Sequence, residues 1–323
     1  MKVIATFVLC LLSTGALTAA ATRSPALLVL NKDDNALAIV DPVSGKVAAR
    51  VPTGVSPHEL TVSSDGKFAF VANYGGDTIS IIDLAAQKEL RQTNLASLHR
   101  PHGIAFAGGR VYFTAEANQM IARYDPAADR VDWTYRTGQD TTHMIVISKD
   151  LSTIFTSNIG SDTISIIQRA SPAGVWKNTA VRVGSGPEAI DLSPDEKEVW
   201  TAHSGDGGIS IIDVATKRVS HSFNIGTKRT NRLKFTPNGK VVLISDMGAG
   251  ELIVVDRAAR KGIKRLKLGR SPEGILIAPD GSRAYVGVTG DNNIAVVDMN
   301  TLTVTGRISP GNGPDGMAWA ERR

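Results

Sequence analysis

One unit returns seven times along this chain, and its period constrains the fold more than any other feature. "SPHELTVSSDGK" begins at Ser56, "RPHGIAFAGGR" at Arg100, "TTHMIVISKDLS" at Thr141 and "GPEAIDLSPDEK" at Gly186. "RTNRLKFTPNGK" follows at Arg229, "SPEGILIAPDGS" at Ser271 and "GPDGMAWA" at Gly313. The intervals run from 41 to 45 residues. A period in the roughly 40–45 range implies four strands per unit and propeller blades, not a helical solenoid.

The unit after His58 shows the four strands: "ELTVS", "FAFVAN", "TISIIDL" and "ELRQTNL". Asp65-Gly66, Asn238-Gly239 and Asp280-Gly281 stand at the first turn, where a tight hairpin needs positive φ. Asp41, Asp83, Asp125, Asp213, Asp256 and Asp298 close the third strand and read as turn hydrogen-bonders. The N-terminal "ALLVLNKDDNALAIVDPVSGKVAARVP" supplies three strands without a first, and "GPDGMAWA" supplies a first strand without the rest. The expected fold is therefore an all-β, seven-bladed β-propeller over residues 25–323. Each blade has four antiparallel strands, and the last is closed by the N- and C-terminal strands together, which leaves no split edge.

Residues 1–21 read as a secretory signal peptide. Met1-Lys2 precedes an apolar stretch from Val3 to Leu12, and small residues lead to cleavage after Ala21. The apolar stretch is far shorter than the roughly 20 residues of a membrane anchor. The expected location is periplasmic or secreted, with no membrane span left after cleavage and a monomeric chain. Cys10 is the only cysteine. Its removal with the leader excludes disulfides, thiolate metal sites and a cysteine nucleophile. A net charge of +5 on 323 residues does not argue for nucleic-acid binding.

The repeat is its own control, because what the fold requires should recur. Proline recurs at Pro57, Pro101, Pro187, Pro272 and Pro314. The next position varies but is never apolar: His58, His102, His143, Glu188, Asn231, Glu273 and Asp315. The connection into an innermost strand reaches the mouth of a propeller's channel, so these seven should form a ring there. A second ring is expected from the last residues of the second strands, among them Asn73, Glu116, Asn158, His203 and Asp246. Glu59 and Arg232 replace the Gly, Ala or Met of other blades and join the same pocket or pair with other charges. Imidazoles and carboxylates together suit a polar ligand or a divalent ion (Mg, Mn, Zn or Ca), with His102, His143, His203 and Glu188 as its candidate ligands. A His beside a Glu also suits a general base. Channel mouths are wet in any case, so the same residues would also solvate a bare rim.

The segments "FVANYGGDTISIIDLAAQKE", "FTSNIGSDTISII" and "AYVGVTGDNNIAVVDMNTLTV" resemble the YVTN-repeat propellers, the YncE-like exported proteins. The resemblance spans essentially the whole chain after the leader. It implies the seven-bladed fold but little chemistry, since members include surface-layer proteins and proteins linked to pyrroloquinoline quinone-dependent oxidation. The blade "PHGIAFAGGRVYFTAEANQMIARYDP" is also similar to one blade of streptogramin lyase and lactonase-type propellers. Those enzymes are metal-dependent and place His and Glu at the channel mouth; here Ala115 displaces Glu116 by one position.

The preferred functional expectation is a binding module for a small polar ligand, divalent metal or partner protein at the mouth. The alternative is a metal-dependent hydrolase or lyase acting on an ester or lactone. In it His102, His143 and His203 serve as ligands or base, and Glu116 and Glu188 as carboxylates. An accessory role in a periplasmic quinoprotein oxidation system follows from resemblance alone. "RAARKGIKRLKLGR", Arg257 to Arg270, carries seven basic residues. It falls on outer strands, where Lys and Arg guard an exposed edge, and it lacks the aromatics that stack bases.

Overall fold

Apolar runs without alternation fill the middle strands, and such strands must be covered on both faces. "ALLVLN", Ala26–Asn31, is buried at every position, and "TISIID", Thr78–Asp83, at all but its last. Outer strands such as Lys88–Asn94 are mostly exposed. This gradient from buried to exposed belongs to sheets packed face against face around an axis.

The computed structural model describes residues 24–170 and 174–322; the leader proposed for residues 1–21 lies outside them. Its strands form seven four-stranded antiparallel sheets. Blade 1 joins Ala26–Asn31, Ala36–Val40 and Val47–Pro52 to the C-terminal Pro314–Ala320. Leu27 pairs with Trp319 and Val29 with Met317 across that closure. Blades 2 to 7 follow in chain order, with innermost strands Pro57–Val62, Pro101–Ala107, Thr142–Ile147, Pro187–Leu192, Thr230–Phe235 and Pro272–Ile277. Among the described residues no helix is long and apolar enough to cross a membrane.

Seven apolar clusters hold the blades together, one at each interface between neighbours. The period of two in a strand divides its residues between them. Leu28 and Leu30 pack toward blade 2, with Leu60, Val71 and Ile82. Leu27 and Val29 pack toward blade 7, with Tyr285 and Ile294. Trp200, fully buried, fills the interface of blades 5 and 6.

The recurring turn residues act locally. Asp83 Oδ1 accepts from the N–H groups of Ala85 and Ala86, both at 2.8 Å, and Asp298 Oδ1 from those of Asn300 and Thr301. Gly66, Gly239 and Gly281 take φ of +70°, +67° and +72°. In the basic tract, Arg257, Arg260, Arg265, Lys267 and Arg270 are paired with acidic side chains.

Leu28 is fully buried and Val43 is 88 % exposed. Leu28→Ala should therefore cost about 2–5 kcal/mol in urea unfolding, and Val43→Ala less than about 0.5 kcal/mol. Equal costs would contradict the assignment of stability to the interblade clusters.

Candidate functional site

A β-bulge near the start of every innermost strand builds the site. In blade 2 Pro57 pairs with Asn73 and Glu59 with Ala72, so His58 is the unpaired extra residue. Glu188 sits likewise between Pro187 and Ala189. The ladder skips His102 with Gly103, His143 with Met144, Asn231 with Arg232, Glu273 with Gly274, and Asp315 with Gly316. A bulge re-aims a side chain out of the pleat, here into the channel. These residues thus lie inside the strands, which begin earlier than "ELTVS" suggests. Glycine follows the bulge residue in three blades, at Gly103, Gly274 and Gly316, and lets the strands crowd together: a Cβ on Gly316 would lie 2.2 Å from the His58 carbonyl oxygen.

All seven bulge residues line one cavity of about 420 Å³. The second ring behaves otherwise. Pro101 pairs with Ala115, not Glu116, so Ala115 is the counterpart of Asn73, Asn158, His203, Asp246 and Val288. The cavity takes the residue after each: Lys32, Tyr74, Glu116, Ile159, Ser204 and Met247 line it. Of the expected second ring, only Glu116 reaches the cavity. Asn73, Asn158, His203 and Asp246 are buried within their blades and tie turns to strands. The amide of Asn73 donates to Thr78 and Ser80 hydroxyls, and that of Asn158 to Thr163 and Ser165. Asp246 accepts from the N–H groups of Lys228 and Arg229. His203 Nδ1 lies 2.9 Å from Asp206. Lys32, Tyr74, Thr141, Ile159, Ser204, Arg229 and Met247 were absent from the sequence expectation. The turn position just past each second strand is the signal that finds most of them.

Three imidazoles span blades 2 to 4. The His58 and His102 rings lie 5.3 Å apart, and those of His102 and His143 3.8 Å apart at 30°. Tyr74 meets His102 edge-on at 5.7 Å. His58 Nδ1 is 2.9 Å from the Ser56 carbonyl oxygen. A carbonyl only accepts, so Nδ1 carries the proton and Nε2 is the free nitrogen. By the same argument His143 Nδ1–H donates to Glu116 Oε2 at 2.8 Å. Tyr74 donates to Glu116 Oε1 at 2.9 Å. Burial works against the Glu116 carboxylate, but these two donors outweigh it and its pKa falls.

His102 is 6 % exposed, and its Nδ1 has no hydrogen-bond partner. Burial, reinforced by the fields of His143, His58, Arg232 and Lys32, pushes its pKa well below the usual 6.5.

Blades 1 and 7 close upon themselves. Lys32 Nζ reaches Glu273 at 2.5 Å and Asp315 at 3.1 Å. Burial opposes the ammonium, yet the two carboxylates hold its pKa above the usual lysine value. Glu273 is pushed up by burial and by the charge of Asp315. Asp315 is held down against burial by Lys32 and Arg232. Beneath the mouth the Arg232 guanidinium, 5 % exposed, crosses from blade 6 to Glu59 in blade 2. It also contacts Met144 Sδ at 3.1 Å and lies 3.9 Å from Asp315. Glu59 and Arg232 therefore pair, and Arg232 floors the cavity. Glu188, on blade 5, accepts from the Asn231 amide at 2.8 Å.

The proposed metal set is not assembled as a whole: His102, His143 and Glu188 line the cavity, while His203 does not. Among the described residues no group of three His, Cys, Asp or Glu side chains is arranged to hold a metal ion.

Fold and site define a class: a seven-bladed propeller with a polar cavity set in the mouth of its channel. Residues 3–319 match the family described as YNCE-like beta-propeller, and the chain belongs to that family. It is 24% identical over 185 residues to Antigen Lp49 of Leptospira interrogans, covering 51% of this chain and 40% of that protein. The chain thus spans less than half of that relative's length. Among solved structures it is similar to Kuenenia stuttgartiensis hydrazine synthase (TM-score 0.71, 19% identity, 82% of this chain and 92% of that one). It is also similar to a putative 6-phosphogluconolactonase from Bacteroides uniformis (TM-score 0.76, 15% identity, 91% and 99%). At these identities the likeness is one of fold.

Two outcomes check this geometry. Arg232→Met should cost about 3–5 kcal/mol and Glu59→Gln less, because the guanidinium keeps Asp315 at 3.9 Å, and the double variant Glu59→Met/Arg232→Met should cost clearly less than their sum. Additive costs in a denaturation cycle would contradict the pairing. The second concerns pH. An unfolded His102 takes up a proton near pH 6.5 and the folded one only well below it, so the unfolded state binds more protons in between. Stability is complete above about pH 6.5 and declines below it, by up to about 1.4 kcal/mol per pH unit. His102→Asn should lessen that decline between pH 7 and 5, leaving the part due to His203, whose pKa burial also lowers; an unchanged slope would contradict a buried, uncharged ring.

Proposed function

We propose that this protein is an exported propeller that binds a small polar ligand in the cavity at its channel mouth. The observation that carries the reading is the convergence of all seven bulge residues on one space of about 420 Å³, a volume suited to a small molecule. His102 supports it. Its ring lines the cavity while its Nδ1 is buried without a hydrogen bond, a costly arrangement for a polar group that a functional site can retain. Arg232 closes the space below, so entry is from the mouth.

Ile159 lines the cavity and is only partly buried. Ile159→Trp should obstruct entry without unfolding the chain. In calorimetric screening with small polar compounds, ligands of the natural protein should lose at least about tenfold in affinity to this variant, at an unchanged melting temperature. Ligands that bind both proteins equally would remove the reading.

A second reading, a hydrolase or lyase acting on an ester or lactone, is favoured by the Tyr74–Glu116–His143 hydrogen-bond chain. Glu116 orients His143 so that Nε2 can take a proton in the cavity as general base, a role worth about 10²–10⁴ in rate. Turnover of a lactone panel that falls by about 10² in His143→Gln supports it. No turnover by the natural protein, or turnover indifferent to that variant, would leave the binding module alone.

A further inference from the structure

The polar atoms left over in the cavity are of one kind. His58 and His143 spend their Nδ1 protons on the Ser56 carbonyl and on Glu116, which leaves the lone pair of each Nε2. The Tyr74 proton is spent on Glu116. Asn231 has only its amide nitrogen to offer a carboxylate, so Glu188 Oε1 is occupied while Oε2 makes no hydrogen bond among the described residues. His102 stands in the same wall, its Nδ1 buried without a hydrogen-bond partner. Blades 2 to 5 therefore present mainly acceptors.

Charge narrows the match further. Glu273 and Asp315 share Lys32, and both oxygens of Glu116 are taken by hydrogen bonds from Tyr74 and His143. Glu188 is the cavity carboxylate that has an oxygen free and forms no ion pair within 4 Å among the described residues. The rings of His58, Tyr74 and His102 stand beside the acceptors, and the Tyr74 face already holds the Arg100 guanidinium at 5.6 Å, as aromatic faces attract cations. The cations of the cavity are spent on other carboxylates or stand at its rim: Arg232, near enough to Glu188 for their charges to interact, is paired with Glu59 and Asp315. Lys32 is tied to blades 1 and 7, and Arg229 is exposed at the rim before blade 6.

Resting on the small-ligand reading above, we infer that the cavity takes a cationic nitrogen head group, an ammonium or guanidinium, held by Glu188 and the imidazole wall of His58, His102 and His143. An ammonium has three donors and no acceptor, which complements a wall of lone pairs. A carboxylate ligand would face the same lone pairs with its own. A neutral polyol fits the hydrogen bonds but leaves Glu188 without a counter-charge.

The test is calorimetry on the purified chain with three sets of probes of similar size. Ethanolamine, putrescine and agmatine carry cationic nitrogen; erythritol and ribose are neutral; malate and citrate are anionic. The cationic set should bind at least about tenfold more tightly than the others. Glu188→Gln should remove that preference while leaving the melting temperature of the free protein unchanged. Glu188→Asp, which keeps the charge, should retain the preference and keeps the inference testable if Glu188→Gln misfolds. Tighter binding of the neutral or anionic set, lost in Ile159→Trp, would overturn the cation inference and leave the small-ligand cavity standing. Cation binding indifferent to Glu188→Gln would also overturn it. Failure of all three sets to bind would overturn it as well, and further compounds screened against Ile159→Trp would then decide the cavity separately.

Discussion

The packing of blade on blade is the constraint from which the rest follows. No sheet here covers its own apolar faces, so each stays folded only between two others. Alternate residues of one strand serve opposite neighbours, as Leu27 and Leu28 do. A ring is the arrangement in which every face finds a partner, and pairing Pro314–Ala320 onto Ala26–Asn31 joins its two ends. Once the ring is closed, seven innermost strands converge on one axis, and whatever each carries near its start meets the others.

The bulge turns that convergence into a site. A regular strand would point alternate residues into the interblade clusters. The extra residue is free of this pattern and faces the channel, so its identity is not dictated by packing. For this reason the position tolerates His, Glu, Asn and Asp while the residue after it stays apolar or small in all blades but two. Arg232 and Glu59 show the cost of filling the axis with charge: Arg232 is buried and Glu59 partly so, and the guanidinium takes Glu59 and Asp315 as counter-ions.

The repeat made the fold and the first ring legible, because a proline or threonine before each bulge marks the same structural position in every blade. The second ring was misread by one residue. Aligning Glu116 with Asn73 and His203 ignored Ala115, and in a strand a shift of one exchanges one face for the other. Asn73, Asn158 and Asp246 recur because they tie a turn, whereas Lys32, Tyr74 and Ser204 vary because the cavity imposes no common residue. Pairing across the axis was legible only as an oddity, two long charged residues where Gly or Ala is usual. No sequence period links blade 2 to blade 6, so their contact required coordinates.

The central claim is that the bulge ring turns imidazole lone pairs toward a single cavity. Nitrogen-15 correlation spectra of histidine-labelled protein at pH 8 test it most directly, since they report which ring nitrogen bears the proton. The account predicts Nδ1–H tautomers for His58 and His143, with both Nε2 shifts displaced when a ligand enters. Nε2–H tautomers at those two residues would contradict it.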